Sequence, residues 1–215
     1  MTVINLFIPA NLSGTFLPRS PWLTMLIQHP AISESIVNEA DVHDVRMAQG
    51  GDDHAFTRIV YRHQQAMARR LWRFTRDPRV LEELVQETFV EAWAGLSGYQ
   101  GDAPFEHWLT RIATRVGYRH WKTRWKQGQS THDDALDRLP APPTSHAASI
   151  EVAEYVHHLL AQLPPRDRLI LTLLYLEQCT PDETAHRTGW SHMMVKVQAH
   201  RARAKLRKLI EQTES

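Results

Sequence analysis

The chain has 215 residues, a formal net charge of +1 and 42% apolar residues, which is enough for folded cores in one large domain or two small ones. Nine glycines disfavour a loop-rich or all-β fold, and the single cysteine, Cys179, excludes an intrachain disulfide and a cysteine-based zinc site and fits a reducing compartment. No apolar stretch reaches the roughly 20 residues that cross a bilayer, and the apolar start from Val3 to Pro9 lacks a preceding basic residue, so the expectation is a cytoplasmic protein with no direct membrane insertion.

Residues 1–43 form the least regular part of the chain. Prolines and weak periodicity predict an irregular extension, with a short helix from Ser33 to Ala40 and Met25 as an alternative start. From Asp44 to Lys126 the pattern is helical. Ala55, Phe56, Ile59, Val60 and His63 recur at helical spacing and are followed by Met67, Leu71 and Phe74. Asp77-Pro78 breaks this run. A second amphipathic run carries Val80, Leu81, Leu84, Val85, Thr88, Phe89 and Trp93, and all its charges from Glu82 to Glu91 are acidic. Gly95 to Pro104 reads as a loop. The next helix starts at Phe105 and buries Trp108, Leu109, Ile112, Ala113 and Val116. From His107 to Lys126 it holds six Lys/Arg and no acid.

Residues 127–149 are polar, small and proline-containing, the composition of a flexible linker. Helical periodicity returns from 150 to 212. Val152, Tyr155, Val156, Leu159 and Leu160 mark one face, and Leu169, Ile170, Leu173 and Leu174 mark the next after Pro164-Pro165. Thr180-Pro181-Asp182-Glu183 predicts a helix start with a capping box. Gly189 ends that short helix, and Ser191 is placed to cap a basic one running to about Ile210.

Pro181 to His200 therefore has the spacing of a helix-turn-helix. Ala185 is small where two helices approach, Gly189 fits a turn needing positive φ, and Val195 falls on the inner face. The second helix of such a motif enters the major groove of duplex DNA. Its outward residues would be Ser191, His192, Met193, Lys196, Val197 and His200, with Arg201 and Arg203 carrying the charge on toward phosphates. A solvated basic helix at the end of a bundle is the plainer explanation, and the capping signals weigh against it.

Three further segments carry a family resemblance. Leu81-Glu82-Glu83-Leu84-Val85-Gln86-Glu87-Thr88-Phe89-Val90-Glu91-Ala92-Trp93 resembles region 2.2 of sigma factors, and Phe105 to Ala113 resembles the start of region 2.4. Leu163 to Arg168 resembles the opening of region 4, with the helix-turn-helix following as region 4.2. In family order and spacing, the set resembles extracytoplasmic-function RNA polymerase sigma factors of the sigma-70 family.

The resemblance implies an all-α chain of two small helical domains on a flexible linker, with residues 44–126 as region 2 and 150–212 as region 4. It implies that Glu82, Glu83, Gln86, Glu87 and Glu91 contact core RNA polymerase. Tyr99 in the loop, and Arg111, Arg115, Arg119, Trp121, Lys122 and Arg124 on the helix after it, would engage melted minus-ten promoter DNA by phosphate contact and base stacking. Ser191, His192, Met193, Lys196, Val197, His200, Arg201 and Arg203 would engage the minus-thirty-five duplex. An anti-sigma factor is the further implied partner. No catalytic residue, metal ligand or cofactor is implied, since the mechanism is recognition. Thr184, Thr188 and Ala199 replace the larger aliphatic residues usual in the family, which predicts a thin helix-turn-helix core.

Two other readings stay open on the residues alone. A conventional DNA-binding regulator would bind duplex tightly without polymerase. A metal site could draw on the 13 histidines, His157, His158, His186, His192 and His200 among them, although no HExxH pattern is present.

Overall fold

The computed structural model describes residues 30–128 and 149–213. Residues 129–148 of the expected linker and residues 1–29, with the alternative start at Met25, lie outside the described residues, while 127, 128 and 149 belong to the flanking helices. Among those described there is no strand, and the elements are eight α-helices with one 3₁₀ turn and one π turn.

Helix α1 spans Pro30–Gln49, which contains the short helix expected from Ser33 to Ala40 and continues it through the boundary expected at residue 43. The reason is electrostatic. Asp41 and Asp44 are buried, and so break the apolar periodicity that marks a helix in sequence. They are satisfied by the next helix, α2 (Asp53–Leu71). His63 Nε2 lies 2.9 Å from both Asp41 oxygens, Arg62 pairs with Asp41 and, at 2.6 Å, with Asp44, and Arg58 reaches Asp44 at 2.7 Å. Burial raises the Asp44 pKa, but hydrogen bonds from Arg58 and Arg62 outweigh it and hold the carboxyl below the usual range.

Asp52 and Asp77 cap α2 and α3 (Pro78–Gly95) by accepting backbone N–H bonds, and Pro78 takes the first position of α3. A 3₁₀ turn (Leu96–Gly98) and a loop lead into α4 (Phe105–Gly128). Ile59, Met67, Leu71, Phe89, Phe105, Leu109 and Val116 fill the centre of this first unit. Gly117 sits where α4 crosses the Phe74 ring; a Cβ there would lie 2.4 Å from the ring, so the approach requires glycine.

The second unit holds α5 (Ser149–Ala161), α6 (Pro165–Leu171), a π turn (Thr172–Leu176), α7 (Pro181–Thr188) and α8 (His192–Thr213). Its own apolar contacts divide into two small clusters, one around Leu160, Leu163, Leu171 and Ala202 and one around Ile170, Val195 and Ala199. Leu169, Leu173 and Cys179 instead join the core of the first unit. The two units are therefore packed together in this arrangement.

Candidate polymerase and nucleic-acid interfaces

Three helical surfaces carry the residues singled out by sequence. The first is the outer side of α3. Glu82, Glu83 and Glu87 are exposed there, and Gln86 and Glu91 are half-buried. They do not form one free acidic stripe. Arg119 from α4 donates to Glu87 at 2.7 Å and to Glu91 at 2.5 Å. Burial works against the Arg119 charge, but these bonds outweigh it and hold its pKa above the ordinary arginine value. Arg119 is thus a strut between α3 and α4 while its side chain stays 49% exposed. Val90, 66% exposed and one turn beyond Gln86, adds an apolar residue to this face that sequence reasoning missed. Its signal is a β-branched residue at the outward spacing Glu83, Gln86, Val90.

The second surface is the loop and outer face of α4. Gln49 of α1 donates to the carbonyls of Leu96 and Tyr99, each at 2.9 Å, and fixes the start of the loop. Tyr99 donates its hydroxyl to Ala103 O at 2.6 Å and packs its ring against Phe105 and Trp108, with centroids 5.4 and 5.3 Å away. Burial first, then the charges of Asp41 and Asp102, raises its pKa. Tyr99 staples the loop rather than standing free for a base. Beyond it, Arg111, Arg115 and Lys122 are exposed, and with half-buried Tyr118 they share one face at the ~100° per residue of an α-helix. Lys122 lies 5.8 Å from the Tyr118 ring centroid. Arg124 is exposed but turned well away from this face by the same spacing, beside His120.

Trp121 stands apart from the basic residues around it. It is buried, donates Nε1–H to Phe74 O at 2.7 Å, and packs on the Phe74 ring at 4.4 Å. In this arrangement it is core and cannot stack on a base.

The third surface is the helix-turn-helix. Thr180 and Glu183 form the reciprocal capping box, with Glu183 N–H donating to Thr180 Oγ1 at 3.2 Å and Thr180 N–H to Glu183 Oε2 at 2.7 Å. Gly189 is left-handed at φ +74, and Ser191 Oγ accepts from Met194 N–H at 3.2 Å. Val195, Ala199 and Ala202 of α8 face inward. Outward stand Met193, 71% exposed, with Lys196, Val197, His200 and Arg201. His192 is exposed with Nε2 3.5 Å from Asp182. Arg203 departs from the set, since it donates to the Tyr175 hydroxyl at 2.9 Å. The expected thinning of the core is visible at Thr184, whose buried hydroxyl has no partner among the described residues, while Thr188 bonds back to the Thr184 carbonyl at 2.7 Å.

A further positioning residue escaped sequence reasoning. Asp167 of α6 is buried and accepts from Gln198 Nε2 at 2.5 Å and Lys205 Nζ at 2.7 Å, both on α8. It sets the angle at which the basic helix leaves the motif. Among the described residues no group of three or more His, Cys, Asp or Glu could hold a metal, and the His157 and His158 rings lie edge to face with centroids 6.1 Å apart. No helix among them is long and apolar enough to cross a membrane.

Comparison with known proteins shows the family. The models for Sigma-70 region 2 and Sigma-70 region 4 match residues 59–127 and 153–206. The RNA polymerase sigma factor CnrH of Cupriavidus metallidurans is 30% identical over 187 residues, covering 81% of this chain and 97% of that protein. The ECF RNA polymerase sigma-E factor of Escherichia coli is 27% identical, covering 72% and 84% of the two chains. The solved structure of CnrH in complex with the cytosolic domain of CnrY superposes with a TM-score of 0.52 at 28% identity, covering 80% of this chain and 98% of that one. The chain belongs to the sigma-70 family of RNA polymerase sigma factors, in its extracytoplasmic-function group.

Proposed function

We propose that this chain is an alternative sigma factor that docks on core RNA polymerase through the outer side of α3, captures melted minus-ten DNA on α4 and its preceding loop, and reads the minus-thirty-five duplex with α8. The observation that carries this reading is the separation of surfaces. An acid-rich helix face bearing exposed Val90 stands apart from two cationic helix faces on different units. In domain terms, residues 44–126 extended back through α1 supply docking and strand capture, and residues 150–212 supply duplex recognition.

The chemistry is differential binding. Arg111, Arg115 and Lys122 offer cations to strand phosphates, and Tyr118 and the stapled loop offer ring and backbone surface to unstacked bases. Stacking a base on an aromatic face contributes about 1–3 kcal/mol, the same order as the cost of unstacking a base step, so several contacts offset strand opening. On α8, Lys196, His200 and Arg201 are the leading contacts, with Met193 and Val197 as apolar contacts in the groove and Ser191 and His192 at the helix start. The protein contributes binding rather than a covalent step and works in the cytoplasm, where polymerase and DNA are. Because CnrH is solved with the cytosolic domain of CnrY, a dedicated anti-sigma partner that restrains this chain is part of the proposal.

Polymerase binding and promoter-specific transcription test the three surfaces separately. Charge reversal at Glu83 should weaken the pull-down of core polymerase without loss of helix content. Lys196→Ala and Arg201→Ala should lower promoter-specific transcripts and reduce the salt slope of DNA binding by about one per removed phosphate contact. Full activity of both α8 variants would remove that face from the site.

A further inference from the structure

Four arginines converge on one cavity of about 230 Å³. Arg69 and Arg70 stand in the last turn of α2, Arg73 follows just beyond it, and Arg187 comes from the last turn of α7. The rest of the polar wall is Glu177 and Gln178, in the segment between the π turn and α7. Glu177 is part of the wall itself, with a side chain only 8% exposed. It accepts from Arg187 Nη1 at 2.6 Å and faces Arg73 and Arg70 at 3.4 and 4.0 Å. From outside the cavity, Glu106 accepts from Arg70 Nη2 at 3.0 Å. Two carboxylates thus answer four guanidinium groups. The carbonyls that end α2 and α7 also favour cations, but each helix end carries only about half a charge. Arg69 has no hydrogen bond or ion pair among the described residues, and Arg73 and Arg187 use one N–H each of their five on Glu177.

A second feature lies on the same wall. Gln178 has φ +53 and is the one non-glycine residue among those described with positive φ. Glycine adopts such a backbone at less cost, and departures of this kind gather at ligand sites. The Gln178 side chain is exposed on the cavity wall and has no hydrogen-bond partner among the described residues, so its amide N–H groups are free to donate.

We propose that this cavity binds a small phosphate-class anion of the size and charge of pyrophosphate, held by the guanidinium groups of Arg69, Arg73 and Arg187 and by the Gln178 amide. Guanidinium forks match phosphate oxygens and form charge-assisted, often bidentate bonds. Glu177 engages part of the Arg73 and Arg187 forks and holds them toward one point against their mutual repulsion, so the site is organised before the anion arrives. Size sets the class of ligand. The cavity is smaller than the about 300–1,000 Å³ of sites that enclose drug-sized molecules, so the base of a nucleotide would remain outside. Burial excludes a polymer, because Arg70, Arg73 and Arg187 are half-buried in a concavity that a duplex backbone does not enter. The lining comes from both units, so the site is complete only in the full chain.

The experiment titrates the full chain with sodium pyrophosphate in a calorimeter at fixed ionic strength, with inorganic phosphate, ADP and a short mixed-sequence duplex as parallel arms. One pyrophosphate should bind per chain, about tenfold more tightly than phosphate, which reaches fewer guanidinium forks, and at least as tightly as ADP. Arg69→Gln should weaken pyrophosphate binding by about tenfold and Gln178→Gly by about threefold. Both should keep full helix content, since Arg69 has no partner to lose and glycine relaxes the backbone at 178. Arg46→Gln removes the same charge from an exposed position outside the cavity and should leave the affinity unchanged. Absence of saturable binding at fixed ionic strength, equal weakening by Arg46→Gln, or ADP binding more tightly than pyrophosphate would each overturn the site. Loss of duplex affinity in Arg69→Gln with no pyrophosphate binding by wild type would give these arginines to nucleic acid and overturn it as well.

Discussion

The two units of this chain differ in how their apolar contacts are gathered. The first buries large side chains around a continuous centre and tolerates carboxylates inside it, because Asp41 and Asp44 are matched by His63, Arg62 and Arg58. The second buries one matched carboxylate, Asp167, divides its own apolar contacts between two small clusters, and adds Leu169, Leu173 and Cys179 to the large cluster of the first; each unit leaves one buried hydroxyl, Thr110 or Thr184, without a partner among the described residues. A buried polar group is stable where its partners are supplied and costly where they are not. The lesson is functional as well. The unit proposed to hold polymerase contributes most of the large apolar cluster, and the unit proposed to read duplex DNA completes its packing by contributing Leu169, Leu173 and Cys179 to it.

Several substitutions break or sharpen this contrast. The largest effect is expected at Asp41→Ala, which strips the carboxylate from buried His63 and from Arg62. Removing one member of a buried charged set costs about 3–5 kcal/mol, readable as a lower denaturant midpoint for the first unit; a change under about 1 kcal/mol would show that the set is not integral to the core. Gly117→Ala should follow, costing about 1–3 kcal/mol by pressing a methyl group into the Phe74 ring. Thr184→Val should act in the opposite direction. It replaces an unpartnered buried hydroxyl with a methyl group and should stabilise the second unit by about 1 kcal/mol; destabilisation would mean that the hydroxyl has a role in packing.

The smallest effect is a dependence on acidity where the two units meet. Burial first, and then the charges of Arg168, Arg76 and His158, pushes the His157 pKa from 6.5 to about 3. His120 is also lowered, by burial and then by Arg124 and Arg168, against the opposing pull of Glu83 and Glu87. His157 stays neutral in the packed arrangement near neutral pH, and both histidines gain protons more readily once exposed. The open or unfolded form therefore binds more protons below about pH 6.5, and the packed form loses stability as pH falls from there toward 3. The reaction of buried Cys179 with DTNB, corrected for thiolate fraction, should speed up between pH 7.5 and 5.5 and do so less in His157→Gln. A pH-independent rate would place His157 outside the contact between the units.

Much of the helix-turn-helix was legible because its signals are local. Thr180, Glu183, Gly189 and Ser191 act within three or four residues of their partners, and Val195 follows from spacing alone. What escaped depends on distant partners. Arg119 reads as a DNA cation until α3 places Glu87 and Glu91 beside it, 32 and 28 residues away. Trp121 sits among basic residues as a stacking residue would, yet Phe74 and Arg168 enclose it; Gly117, one turn earlier, was the available hint of close packing. The first helix was read too short, as Ser33 to Ala40, because periodicity counts Asp41 and Asp44 as outward. Leu169 and Leu173 were rightly read as buried, but nothing local says in which unit's core.

The central claim is tested most directly by transcription from linear fragments of the chain's own genome with purified core polymerase. Core alone should initiate without promoter choice, and added protein should yield discrete transcripts that disappear with charge reversal at Glu83 or with the Lys196→Ala/Arg201→Ala pair. Failure of the purified chain to associate with core polymerase, or identical transcripts with and without it, would contradict the account.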